Sequence, residues 1–372
     1  MSVRSELSDI RDLPQDKQEE AYSQIYRKYK FDPEANKDLE TKDPRGIEAH
    51  LDYVSRRDKG YQPVNQKDDP NSRFSLDAIE NGFLADQVKS GLEFAVTWDA
   101  NNELMSIQKG KRDSVALYSS NELGTGIPRT RGGTFTHTHP SETNKMDYDF
   151  DFRSYGLPLS DGDFKTMGNF QYRELRAVAR EGIYSVVADP DNVKFSKDWI
   201  DTIKKDSVLS KAFESGDKWY KQGLALKLIS SLFRQNYEKI NEFCRKTPIY
   251  SNPENPLNRK PIDKSVPIDK RKDGGYANSE AYAVLLSARQ KELVESFGFK
   301  WTFTPNKGYE GIAKGISVVS AIGSKSKEAV KTVRQMSNAG ELRRNGTDAP
   351  FRTPSDKNPF DRNGNLLPNK TK

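Results

Sequence analysis

Hydrophobic positions are sparse and unevenly spaced up to residue 74, and beyond it they fall into runs with readable periods. After Ser75, a residue suited to cap a helix, Ile79, Phe83, Leu84 and Val88 recur at spacings that line one helical face. This predicts an amphipathic helix ending near Gly91. The period then becomes alternating: over 93–98, Phe94, Val96 and Trp98 fall on one side of a strand, the core side. Glu93, Ala95 and Thr97 fall on the other, toward solvent or a cleft. A turn over 99–102 leads to a second strand, 104–108, and 114–118 offers a third. The run Gly132-Gly-Thr-Phe-Thr-His-Thr-His-Pro140 is a short β-prone stretch that its proline ends.

Further on, a short helix over 163–170 capped by Ser160 precedes two β-prone runs, 174–179 and 183–188, joined at Glu181 and Gly182. A helical region over 196–245 carries Trp199, Ile203, Leu226, Ile229, Phe233 and Ile240 and is broken near Gly216. A Pro- and Lys-rich loop over 247–275, a helix over 279–297 and a strand over 299–304 complete the pattern. Strands and helices interleaved in this way predict an α/β (α+β) fold, a mixed sheet flanked by helices.

Three regions follow from the same reading. Residues 1–73 form a charged N-terminal arm, with short helices over 15–29 and 44–57 and a linker over 58–73. Residues 74–305 form the folded domain, and 306–372 an extended basic tail. Composition agrees, since hydrophobic residues are 34% of the 372 and charged residues 31%, a low ratio that suits a moderate core with long extensions. Of the formal charge of +6, the tail carries thirteen Lys and Arg against six Asp and Glu, so the rest of the chain is close to neutral. Such a surplus suits contact with nucleic acid, contact with an acidic protein surface, or simple solvation. The apolar run 312–322 is too short to cross a bilayer and is expected to dock on protein. With no signal-like apolar segment at the start, the chain is expected to stay off the membrane and in a reducing compartment.

Candidate chemistry centres on His137 and His139. Imidazoles at i and i+2 on a strand project to one face and can hold one metal ion, although an isolated pair of this kind equally describes two loop histidines. Ser160-Asp-Gly-Asp163 adds weight. Asp163, in the first turn of a predicted helix, can supply a third ligand, and three protein ligands leave a coordination position open for catalysis. Ser160 and Asp163 are also ordinary helix-capping residues, and the two roles are compatible. Glu93 is the candidate general base, with Glu103 as a rival. Cys244, the only cysteine, excludes an intramolecular disulfide and a cysteine-based zinc cluster. It lies in an apolar helical pattern, and the one unassigned histidine is His50, which makes it a poor nucleophile.

In its order, Glu93, His137-x-His139-Pro, Ser160-x-x-Asp163, the chain resembles the motif of the JAB/MPN (JAMM) metallopeptidases. The run EFAVTWDANNEL over 93–104 is similar to the first hairpin of bacterial and phage-borne members, and RELRAV with GIYS, at 173–178 and 182–185, is similar to a hairpin of the phage branch. That branch includes domains of head-morphogenesis and minor capsid proteins. The resemblance covers about 75–188, more loosely to 304. It implies a JAB/MPN-like (cytidine-deaminase-like) fold, Zn2+ held by His137, His139 and Asp163, Glu93 as general base, and Ser160 as oxyanion support.

It also implies a peptidase or isopeptidase in a host cytoplasm or virion, with other virion or assembly proteins as partners. The alternative is a structural virion protein that keeps the metal-bound fold without turnover. One departure stands out: the twenty residues 140–159 between His139 and Ser160 make a far longer connection than the family's. The insert 141–159, acidic and aromatic over 147–152, is a lid, a substrate contact or a plain surface loop.

Overall fold

The computed structural model describes residues 52–53, 55–88, 92–110, 115, 127–139, 158–246 and 279–342, with the single positions 17, 21 and 24. Most of the helix expected over 15–29, most of the strand over 114–118, insert residues 141–157, the loop 247–275, His50 and the tail beyond 342 lie outside the described residues, as does the Cys244 side chain.

Six strands form one mixed sheet, flanked by helices, in the order β2-β1-β3-β4-β5-β6. They are β1 (Phe94–Trp98), β2 (Leu104–Lys109), β3 (Thr134–Thr138), β4 (Glu174–Val178), β5 (Gly182–Val187) and β6 (Lys300–Pro305). The α/β expectation therefore holds at the level of class. The described residues divide into two compact units, one falling within 1–140 and 170–174, the other within 141–169 and 175–353.

In the first unit, β1 pairs antiparallel with β2 and with β3. The helix after Ser75, α1, is a π-helix over Ala78–Leu84 that runs on as α-helix over Ala85–Gln87. The Ser75 hydroxyl accepts from the Ala78 N–H at 3.2 Å, the expected cap. Ile79, Phe83, Leu84 and Val88 are fully buried, each such side chain stabilising the fold by about 1.5–3 kcal/mol. Phe83 meets Phe94 edge to face at 5.4 Å, so α1 covers the Phe94, Val96 and Trp98 face. The opposite face is not open, as expected from the alternation, but buried too: Ala95 and Thr97 are both covered. Phe135, opposite Thr97 in the register, stacks on Tyr172 at 5.4 Å and closes that side.

The stretch expected to be a linker is ordered by contacts distant in sequence. The N–H groups of Gln66 and Lys67 both donate to the Asn102 carbonyl, at 3.0 and 2.9 Å, and the Gln66 side chain accepts from the Leu104 N–H at 2.9 Å. Lys67 Nζ reaches Thr134 Oγ1 at 2.8 Å and Glu174 Oε2 at 2.9 Å. A polar segment with little apolar content thus becomes a strap over the β1–β2 turn by satisfying backbone groups there.

In the second unit, α2 (Asp161–Asn169) crosses the long helix α5 (Lys218–Lys246) at two glycines. A Cβ on Gly168 would lie 3.2 Å from the Gly223 carbonyl oxygen, so the two helices are in close contact there. The expected long helical region is broken twice, into α3 (Lys197–Lys204), α4 (Ser207–Glu214) and α5, the second break at Gly216 with φ +78°. Helix α6 (Ser279–Ser296) leads to β6, which pairs antiparallel with β5.

The tail, expected to be extended, is helical in its described part. It forms α7 (Glu310–Ile322) and α8 (Lys327–Asn338), which bury Ile312, Ile316, Val319, Val333 and Met336. Ser326 caps α8, its hydroxyl accepting from the Ala329 N–H at 3.0 Å. Basic residues there occupy the outer positions of amphipathic helices, which charge counting alone does not distinguish from an extended tail. Within the apolar run 312–322, Ile312, Ile316 and Val319 thus form a core-facing helix stripe, while Ile322 is exposed. Among the described residues, no helix is long and apolar enough to cross a membrane.

Candidate metal centre

Two glycines set the course of β3. Gly132 has φ +78°, a left-handed backbone that favours glycine, and a Cβ on Gly133 would lie 2.1 Å from the Trp98 carbonyl oxygen. The chain therefore enters β3 tight against β1, in a register that puts His137 opposite Ala95. His137 is 2% exposed, and its ring stacks on Phe135 at 5.0 Å with the planes only 16° apart. Tyr172 continues the stack on the far side of Phe135. This fixes the first imidazole in orientation. His139, half-buried, meets it edge-on with ring centres 4.7 Å apart.

The His137 and His139 Nε2 atoms are 3.0 Å apart. Two imidazole nitrogens, each about 2.0–2.1 Å from a shared ion, come close to that separation. A ring-to-ring hydrogen bond suits it as well. One nitrogen each from His137 and His139 and one carboxylate oxygen of Asp163 all lie within 4.8 Å of one another. Two nitrogens and a carboxylate oxygen are the donor chemistry of zinc and related divalent ions, so this triad can hold a metal ion.

The Asp163 carboxylate is set by its own turn. Its Oδ2 accepts from the Ser160 N–H at 2.6 Å, and its N–H donates to Ser160 Oγ at 3.2 Å, the reciprocal pair of a capping box at the start of α2. The capping role anticipated for these residues is real, and it orients the carboxylate. Ser160 itself is exposed.

Glu93 lies just before β1 and is half-buried. Continuing the register Ala95↔His137 by two residues brings Glu93 level with His139, on the face both histidines share. The Phe94 N–H donating to Thr138 Oγ1 at 2.9 Å holds the strands together at that point. The rival Glu103 belongs elsewhere. It sits past the opposite end of β1, fully buried, with Oε1 accepting from Arg56 at 2.7 Å. Burial raises its pKa even against the pull of Arg56.

Several residues that serve this centre carry no motif. Phe135 was legible, since it lies two residues before His137 on the same strand face. Tyr172 was not, because only the fold brings it to Phe135. Comparison of the chain with family models, with curated proteins and with solved structures gives no match.

Proposed function

We propose that the chain is a zinc-dependent hydrolase of the JAB/MPN type, cutting peptide or isopeptide bonds in the assembly or the particle of a bacteriophage. The convergence of His137, His139 and Asp163 within 4.8 Å is the observation that carries this reading. The motif order Glu93, His137, His139, Ser160, Asp163 supports it. Zinc in this triad supplies Lewis acidity toward a carbonyl oxygen and toward water.

The chain's own residues supply the remaining steps. Glu93, level with His139, takes the proton of the attacking water and passes it to the leaving amine. Ser160 Oγ accepts from the Asp163 N–H and keeps its own O–H to donate to the developing oxyanion. Its exposure leaves it reachable by a substrate chain. The stacked rings of Phe135 and Tyr172 exclude water from the inner side of His137. Other virion proteins are the proposed partners, with the basic residues of 306–372 available for acidic protein or nucleic acid.

The test is Glu93→Gln in the full chain, with zinc content measured beside cleavage of capsid proteins in infected-cell extracts. Retained zinc with cleavage abolished is the expected result. Retained zinc with cleavage and particle assembly unchanged assigns the centre to structure rather than turnover.

A further inference from the structure

Resting on that metal-centre reading, we propose that Gln290 is a positioning residue for the turn that presents Asp163. Leu159, the residue before Ser160, has a fully buried side chain, and its carbonyl oxygen accepts from Gln290 Nε2 at 2.6 Å. Gln290 projects from α6 and is 0% exposed. Its Oε1 accepts from Trp301 Nε1, on β6, at 2.9 Å. The amide can face only one way. Exchanging its two ends would set donor against donor at Trp301 and acceptor against acceptor at Leu159.

On the other side of Ser160, the Asp161 carbonyl accepts from Ser230 Oγ at 2.8 Å, and Ser230, on α5, is 1% exposed. The two carbonyls that flank the exposed Ser160 are thus gripped from two different helices. The reciprocal bonds between Ser160 and Asp163 carry this fixed backbone position to the carboxylate. A side chain that only filled space at 290 would be apolar. The amide instead ties β6 to the main chain beside a metal ligand, 131 residues away. Its loss leaves two buried polar groups unpaired and the turn free to settle elsewhere.

The experiment measures zinc affinity of the full chain by competition with a chromogenic chelator, together with the visible spectrum of the Co2+-loaded protein and the Tm of the metal-free protein. Gln290→Met is expected to weaken zinc binding about 10–100-fold, the range for loss of an outer support of a metal ligand, and to alter the Co2+ spectrum. Trp301→Phe, a milder change, shifts both in the same direction and carries the test if Gln290→Met does not fold. Leu286→Ala truncates the core side of the same helix and is expected to lower Tm while leaving zinc affinity and the Co2+ spectrum unchanged.

The proposal is overturned if the Gln290 and Trp301 variants lose Tm but bind zinc as the unaltered chain does, or if Leu286→Ala weakens zinc equally. An unaltered chain that binds no zinc overturns the metal-centre reading and this proposal together, whereas normal binding by the unaltered chain and by both variants overturns this proposal alone.

Discussion

The two ends of β1 each gather polar groups in a covered setting, and they resolve them differently. Beyond Trp98, Asp99 and Glu103 meet opposite charges and a hydroxyl. Tyr53 donates to Asp99 Oδ2 at 3.0 Å, Arg57 lies 4.0 Å from the same oxygen, and Arg56 donates to Glu103 Oε1 at 2.7 Å. Burial, with Asp99 beside it, pushes the Tyr53 hydroxyl far above its ordinary pKa, so it remains a donor. At the other end the β3 register collects His137 and His139, which converge with Asp163. The first cluster pairs carboxylates with cations, fastening Tyr53, Arg56 and Arg57 to the β1–β2 turn. The second brings three electron-pair donors together, an arrangement that can hold a divalent cation. The sign of the partners, more than burial, separates a structural cluster from a binding centre.

The sharpest break in this comparison comes from the donors themselves. His139→Ala or Asp163→Ala is expected to weaken zinc binding more than about 100-fold, while circular dichroism keeps the native helix content. Next, Gly133→Ala sets a Cβ against the Trp98 carbonyl oxygen and should cost about 3 kcal/mol in urea unfolding, weakening zinc as β3 shifts. Arg56→Met strips the cation from the fully buried Glu103 and is expected to cost about 1–3 kcal/mol, discounted because Arg56 is itself one-third exposed, with zinc affinity unchanged.

Smaller still is Thr136→Val. It removes the 2.8 Å bond to Glu80 on the sheet face away from the histidines and should cost about 1 kcal/mol without moving zinc affinity. The weakest signal is a pH slope. Because Glu103 holds its proton more tightly folded than unfolded, its contribution to stability falls as pH rises from its ordinary 4.5 through the raised folded value. Glu103→Gln should flatten unfolding free energy against pH over that window.

What could be read in the chain before folding was local. His137 and His139 share a strand face by alternation alone, and Ser160 with Asp163 form a cap that three-residue spacing announces. The helix from Ser75 and the break at Gly216 were legible for the same reason. The strap within 58–73 was not, because its Pro, Asp and Asn content describes a linker until the Asn102 carbonyl accepts two of its N–H groups. The tail helices were legible in part. Ala329, Val333 and Met336 after Ser326 have helical spacing, which a surplus of lysine and arginine does not register. Burial of both faces of β1 depended on Tyr172, and the grip on Leu159 depended on Gln290, residues that only the tertiary fold brings to those places.

The most direct measurement is elemental analysis of the purified full chain beside His137→Ala and Asp163→Ala. About one zinc ion per chain in the unaltered protein, lost in both variants, is the predicted result. No bound metal in the unaltered chain, or zinc retained undiminished by both variants, would contradict the account.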